Sequence, residues 1–159
     1  QSKPSGPPMG TAALDQAGIK NAVLAMKTLA SGRVFVGGHS YGGRQSTMVC
    51  AAEPGLADGL LLLSYPLHPP RKPEQLRTQH LPKLQTPALF VHGTRDPFGS
   101  VEEIRQALKL INSKTDLVPV VGAGHDLGFT GKAGKGSLAE VVVEKFTAFL
   151  TGLSLNADS

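Results

Sequence analysis

The stretch RVFVGGHSYGGRQS, residues 33–46, sets Ser40 between two pairs of glycines directly after an apolar run. Its centre, GHSYG, matches the pattern G-x-S-x-G, but in a chain with 19 glycines the pattern alone carries little weight. The context adds weight, because the preceding run has strand character and residues 41–52 can form a helix. A serine on such a strand-to-helix turn is strained and exposed, as a nucleophile must be. Gly38 and Gly42 are then expected to let strand and helix approach without Cβ clashes. The alternative interpretation is a flexible loop.

The composition indicates one globular domain. The chain has 159 residues, of which 40% are hydrophobic, enough to bury a core. Its net charge is +4, but the basic residues form no stripe on a predicted helix, so we expect no nucleic-acid partner. No apolar run approaches the roughly 20 residues that cross a bilayer, and no signal-peptide pattern is present, so we expect no membrane partner. Cys50 is the only cysteine, which favours a buried thiol and a cytoplasmic location.

The order of apolar patterns predicts alternating helices and strands. Residues 1–10 are rich in proline and glycine and are predicted to be an irregular leading segment. Residues 11–31 have the spacing of an amphipathic helix. Four short apolar runs with turn residues at their ends are predicted strands: residues 33–38, 59–65, 87–93 and 116–122. Pro119 places the last of these at a sheet edge, because proline cannot donate to a ladder.

Two S-x-x-E capping boxes predict where later helices begin. One pairs Ser100 with Glu103, and the other pairs Ser137 with Glu140. The alternation predicts an α/β fold, a mostly parallel sheet with helices on both faces. We therefore predict a single domain over residues 11–152, followed by a tail at 153–159. Ligands in such sheets lie beyond the carboxyl ends of the strands, which restricts the candidates for a site.

A nucleophilic serine needs a base, and the base needs a carboxylate that orients it. His125 lies just beyond the last predicted strand and is the best base. His39, His68 and His92 lie near strand ends and could line the site. Among the carboxylates, Asp58 and Asp116 precede strands, Asp15 precedes the serine, and Asp126 is adjacent to His125. Asp96 follows the strand 87–93 and is the leading candidate, which gives the chain order Ser40, Asp96, His125.

The sequence predicts neither a cofactor nor a metal. The segment GFTGKAGKGS, residues 128–137, lacks the spacing of a phosphate-binding loop, and GAGHDLG lacks the spacing of a dinucleotide fingerprint. Cys, His and carboxylate residues show no clustered metal-ligand pattern.

The segments GGHSYGG, LFVHGTRDPFG and GAGHDL resemble the α/β-hydrolase superfamily, most closely its dienelactone-hydrolase-like members. Within that group, LLLSYPLHPP and HGTRDPFGS are similar to predicted hydrolases related to a testis-expressed human protein. The resemblance implies cleavage of an ester or thioester through a serine ester intermediate. In that reaction Ser40 attacks, His125 carries the proton and Asp96 orients His125. The resemblance also implies that the backbone N–H of Tyr41 forms half of an oxyanion hole.

The chain departs from the family upstream of Gly32, where the family has further strands. We therefore expect a fragment or processed product that lacks the N-terminal strands of the fold. Its first strand would then present an apolar edge, which predicts self-association. Basic clusters in two loops, Arg71 with its neighbours and Lys132 with Lys135, favour an anionic substrate. The alternative function is an inactive hydrolase-like scaffold that binds a protein partner.

Overall fold

A computed structural model describes residues 11–128 and 135–157, with side chains over 11–128 and 138–153. Helices and strands alternate in this part of the chain, as the sequence predicts. The helices are α1 (Thr11–Leu29), α2 (Tyr41–Ala52), α3 (Val101–Leu108) and α4 (Lys135–Ala157). The strands are β1 (Phe35–His39), β2 (Gly59–Leu63), β3 (Ala88–Gly93) and β4 (Thr115–Val120).

The described strands form one parallel sheet in the order β1-β2-β3-β4. Their carboxyl ends therefore lie at the same edge of the sheet. Pro119 lies in β4, which confirms the predicted edge position, and faces His92 of β3 in the register. At the other side, β1 pairs with β2 alone within the described residues. The first predicted strand thus lies at an edge of this sheet.

Side-chain alternation along β2 divides the core into two layers. Leu60 and Leu62 are fully buried in one layer, which also contains Cys50 of α2 and Ile104 of α3. The other layer contains Leu61, Leu63 and Val142 of α4. Because successive side chains of a strand point to opposite faces, helices must cover both faces of β2. The predicted double coverage is therefore confirmed, and burial raises the pKa of the Cys50 thiol, as expected for a packed cysteine.

Helix α1 packs beside β1 and α2 through a smaller apolar cluster. Val23 of α1 contacts the cluster of Val34 and Val49 and is buried. A groove of about 330 Å³ runs between α1 and β1 and is lined by apolar side chains, among them Met26 and Val36. The edge predicted for β1 is therefore flanked by apolar surface.

Helix α4 begins before the predicted capping box and runs into the predicted tail. It begins at Lys135, so Ser137 lies inside the first turn and is not the residue that caps the helix. It continues to Ala157, because a glycine such as Gly152 costs a helix only about 1 kcal/mol and does not end it. The predicted irregular segment 1–10 and Lys132 lie outside the described residues.

Candidate active site

Ser40 occupies the strained turn between β1 and α2. Its backbone has φ 51° and ψ −119°, in the left-handed half of the map that non-glycine residues rarely adopt. Two hydrogen bonds hold this conformation: the Ser40 N–H donates to the carbonyl of Leu63 at 2.8 Å, and the Arg44 N–H donates to the Ser40 carbonyl at 3.0 Å. The turn is thus fixed by β2 on one side and by the first turn of α2 on the other.

The glycines of this turn have different roles from those predicted. A Cβ at Gly38 would lie 2.7 Å from the Cα of Gly43, and a Cβ at Gly43 would lie 2.8 Å from the Gly38 carbonyl oxygen. A Cβ at Gly42 would meet no atom of the described residues within 4 Å. The prediction for Gly38 is therefore confirmed, but the one for Gly42 is wrong. Each helical residue turns by about 100°, so Gly43 faces the strand and Gly42 does not.

A chain of hydrogen bonds joins Ser40, His125 and Asp96. The Ser40 Oγ lies 2.7 Å from Nε2 of His125, and Nδ1 of His125 lies 2.8 Å from Oδ2 of Asp96. With Nδ1 protonated, the imidazole donates to the carboxylate and accepts from the serine hydroxyl. The Asp96 side chain is fully buried, whereas that of His125 is 23% exposed. A buried carboxylate, an imidazole and an accessible hydroxyl in this order can remove the serine proton and stabilise the resulting imidazolium.

The loop after β3 orients the Asp96 carboxylate. Oδ1 of Asp96 accepts a hydrogen bond from the Phe98 N–H at 2.8 Å, which leaves Oδ2 for His125. His92 connects the two ends of this loop, because its Nε2 lies 2.7 Å from the Gly99 carbonyl oxygen. Burial lowers the pKa of His92, so the ring is neutral and donates to that carbonyl through Nε2–H. His92 is fully buried behind Asp96, with its Nε2 3.7 Å from Oδ2, and does not face solvent in front of Ser40.

The loop that carries His125 docks directly on the Asp96 loop. The Thr94 N–H donates to Val120 at 3.0 Å and the Arg95 N–H donates to Ala123 at 2.9 Å. Gly93 permits this contact, since a Cβ there would lie 2.6 Å from the carbonyl oxygen of Gly124. The distance between Asp96 and His125 is therefore set by backbone contacts between the two loops.

Two further side chains lie against His125. Nε2 of His39 lies 2.8 Å from the His125 carbonyl oxygen and donates to it, so His39 lies beside His125. The Phe98 ring stacks on the imidazole with centroids 4.2 Å apart and planes 30° apart. Phe98 is not among the site residues predicted from the sequence. The available signal is an aromatic residue two positions after Asp96 in an otherwise polar turn.

His68 lies apart from this group. Its side chain is buried, its Nδ1 donates to the Pro69 carbonyl at 2.8 Å, and its Nε2 lies 3.5 Å from Glu103. No hydrogen bond joins it to Ser40, Asp96 or His125 in the described structure. The Pro69 and Glu103 contacts turn the imidazole ring of His68 towards α3, while its backbone N–H donates to the Phe98 carbonyl at 3.1 Å, so a role of His68 in lining the site stays a prediction.

Tyr41 is the first residue of α2, where a backbone N–H has no carbonyl acceptor within the helix. Its N–H is therefore available beside Ser40. The side chain turns away, since the hydroxyl donates to Oδ2 of Asp15 at 2.9 Å, and this bond raises the pKa of Tyr41 above its ordinary value.

Over residues 11–128 and 135–157, three or more His, Cys, Asp or Glu side chains are nowhere grouped so that they could hold a metal ion. The helices in those ranges include none that is long and apolar enough to cross a membrane.

Comparison with known proteins places this geometry in context. Residues 4–150 match a family model described as an alpha/beta hydrolase domain. The chain is 33% identical over 101 residues to a Salmonella typhimurium protein named "Putative carboxymethylenebutenolidase", over 58% of this chain and 36% of that protein.

Two solved structures share the fold. One is an alpha-beta serine hydrolase homologue from Coxiella burnetii, with a TM-score of 0.65 and 19% identity over 90% of this chain and 64% of the other. The second is a dienelactone hydrolase from Anabaena variabilis, with a TM-score of 0.61 and 20% identity over 82% of this chain and 56% of the other. The chain thus spans about a third of the Salmonella protein and less than two thirds of either structure.

Proposed function

The chain belongs to the family of α/β-hydrolase domains, and on that premise we propose that it is a serine hydrolase that cleaves an ester or thioester. The observation that carries the proposal is the pair of hydrogen bonds, 2.7 Å and 2.8 Å, that connects Ser40 through His125 to Asp96. Its strained turn and its position at the carboxyl end of the sheet support the same role for Ser40.

In the first half of the reaction, the Ser40 Oγ attacks the carbonyl carbon of the substrate while its proton moves to Nε2 of His125. The negative charge that develops on the carbonyl oxygen is stabilised by the backbone N–H of Tyr41, and one such donor contributes about 3 kcal/mol. His125 then gives its proton to the departing oxygen or sulfur. The products of this half are an alcohol or thiol and an acyl ester on Ser40.

In the second half, water attacks the acyl ester and His125 takes the proton from that water. The carboxylic acid leaves when His125 returns the proton to the Ser40 Oγ. Asp96 stabilises the imidazolium that forms twice per turnover. Because the Asp96 carboxylate is fully buried, its interaction with His125 is weakly screened by water.

The finer parts of the proposal rest on sequence. An anionic substrate is favoured by Arg71, which is exposed, and by Lys132 and Lys135. Neutralising all three should weaken the salt dependence of kcat/KM, and an unchanged dependence would count against an anionic substrate. We also propose that the chain is related to the hydrolases similar to a testis-expressed human protein. A cytoplasmic location is part of the same proposal.

A second candidate function is a scaffold that binds a protein partner without catalysis. The apolar groove between α1 and β1 favours it, because an edge strand beside apolar surface can pair with another strand. The same edge supports self-association of the chain.

Steady-state hydrolysis of neutral and carboxylate-bearing p-nitrophenyl esters and thioesters separates the two functions. Ser40→Ala should lower kcat by at least about 10³-fold. Ser46→Ala is the matched control, since the Ser46 hydroxyl donates to the Gly42 carbonyl at 2.8 Å and lies outside the proposed machinery. An enzyme gives turnover that Ser40→Ala removes and Ser46→Ala retains. If the protein turns over none of these substrates, the scaffold is favoured.

A further inference from the structure

Phe98 contacts the proposed acid and the proposed base at the same time. Its ring stacks on His125 at 4.2 Å, and its backbone N–H donates to Oδ1 of Asp96 at 2.8 Å. Its own carbonyl accepts a hydrogen bond from the His68 N–H at 3.1 Å, which ties the residue to the buried segment after β2. Phe98 thus joins the imidazole, the carboxylate loop and the segment after β2.

We propose that Phe98 is a positioning residue that holds the His125 imidazole in the plane between Ser40 and Asp96 during proton transfer. This inference rests on the proposed function. At rest, two hydrogen bonds hold the ring, one at each nitrogen. Once the Ser40 oxygen has bonded to the acyl carbon, its bond to Nε2 weakens and only the bond to Asp96 remains. A ring held at Nδ1 alone can rotate out of line.

The flat face of the Phe98 ring opposes that rotation but permits the imidazole to move towards the leaving group. With the planes 30° apart, the imidazole can slide along the Phe98 face towards a leaving group, whereas flipping would break the stack. The ring face also favours the imidazolium that forms in the transition state. Phe98 is half-buried, so it shields one side of the imidazole from water.

His39 cannot perform the same task. Its ring lies 5.3 Å from that of His125 with planes 55° apart, which is no stacked contact. Its hydrogen bond reaches the His125 carbonyl and fixes the backbone, which leaves the side-chain torsions free. Control of the imidazole plane therefore falls to Phe98.

The test compares Phe98→Leu, which removes the flat face, with Phe98→Tyr, which keeps it. Aromatic stacking of this kind contributes enough to predict a fall in kcat of about 2- to 10-fold for Phe98→Leu, with KM little changed. Phe98→Tyr should restore kcat to within about twofold. The matched control is Phe146→Leu, because Phe146 is also half-buried and makes an edge-on aromatic pair with Phe35 at 5.7 Å. Phe35 begins β1, at the end of the strand opposite Ser40, so this control should leave kcat unchanged.

Two readouts separate positioning from a merely structural role. The loss in Phe98→Leu should be larger for an ethyl ester than for a p-nitrophenyl ester, because only the alkoxide must receive a proton from His125 as it leaves. A crystal structure of Phe98→Leu should show His125 in two orientations, one of them rotated so that its Nε2 lies beyond hydrogen-bond distance of the Ser40 Oγ.

The positioning role of Phe98 and the proposed hydrolase activity can fail independently in these experiments. If Phe98→Leu keeps both hydrogen bonds of His125 and the wild-type kcat, the positioning role is overturned. It is also overturned if kcat falls by the same factor for the ethyl ester and the p-nitrophenyl ester. If the wild-type protein hydrolyses no ester, the proposed function fails. The crystal structure of Phe98→Leu still decides the positioning of His125 in that case, by a rotated or an unmoved ring.

Discussion

Replacing Gly93 with alanine should separate His125 from Asp96 without changing either side chain. A Cβ at this position would lie 2.6 Å from the carbonyl oxygen of Gly124 and 2.8 Å from the carbonyl carbon of Ala123, where ordinary contact begins at about 3.4 Å. Both are backbone atoms, so the clash cannot be relieved by turning a side chain. The His125 loop must therefore retreat by about 1 Å.

That retreat is large on the scale of the site. It would stretch the bonds of His125 to Ser40 and Asp96 from 2.7 and 2.8 Å to about 3.7 Å, beyond hydrogen-bond range. A misplacement of about 1 Å costs catalysis on the order of 10²-fold. Overpacking should also reduce the free energy of unfolding by about 1–3 kcal/mol.

The assay is kcat/KM for a p-nitrophenyl ester, corrected by urea unfolding for the folded fraction. Gly124→Ala is the matched control, because Gly124 lies in the loop that faces Gly93 but a Cβ at position 124 would meet no described atom within 4 Å. It should retain kcat/KM within about threefold. If Gly93→Ala, once corrected for folding, stays within threefold of the wild type, the reasoning about loop docking is refuted.

Three other predictions concern stability and assembly. Burial and the charge of Arg44 lower the pKa of His80 from 6.5 to about 4, so the folded state favours the neutral ring. The stability this confers is complete above pH 6.5 and is lost as the pH falls to about 4. Because His80 is partly exposed to water, the free energy of unfolding should fall by only about 1–2 kcal/mol over this range. In urea unfolding at a series of pH values, this fall should be smaller for His80→Gln than for the wild type. An equal fall in both proteins would show that His80 is not its cause. Ser100→Ala should cost α3 about 1 kcal/mol, because Ser100 and Glu103 form a capping box; Glu103→Gln keeps the box and should cost less in thermal unfolding, so equal losses would contradict the box. Light scattering over a range of concentrations should show self-association through the β1 edge, whereas a single monomeric species at every concentration would exclude it.

The strands and most helix boundaries could be predicted because their signals are local. Short apolar runs between turn residues mark β2 and β3, and Pro119 marks β4 as an edge. The Ser100 capping box is a four-residue pattern, and both of its hydrogen bonds form. The Ser137 box has the same pattern, but α4 begins before it. A capping-box pattern shows where a helix can begin, but it does not prevent the helix from beginning at an earlier residue.

The proximity of Asp96 and His125 could be predicted because parallel strands bring their carboxyl ends together. What the sequence could not supply is the contact surface between distant segments. The closeness of Gly43 to Gly38 depends on how α2 turns away from β1. Likewise, Thr47 and His80 are 33 positions apart and meet at 2.7 Å. The stack of Phe98 on His125 has the same character, since it depends on the docking of two loops.

Covalent labelling with a fluorophosphonate probe, read by mass spectrometry of the peptide that contains Ser40, tests whether Ser40 is an activated nucleophile. We expect one adduct, on Ser40, that is absent in Ser40→Ala and forms much more slowly in His125→Ala. No adduct on the wild-type protein, or an adduct that persists in Ser40→Ala, would contradict the claim that Ser40 is a nucleophile activated by His125 and Asp96.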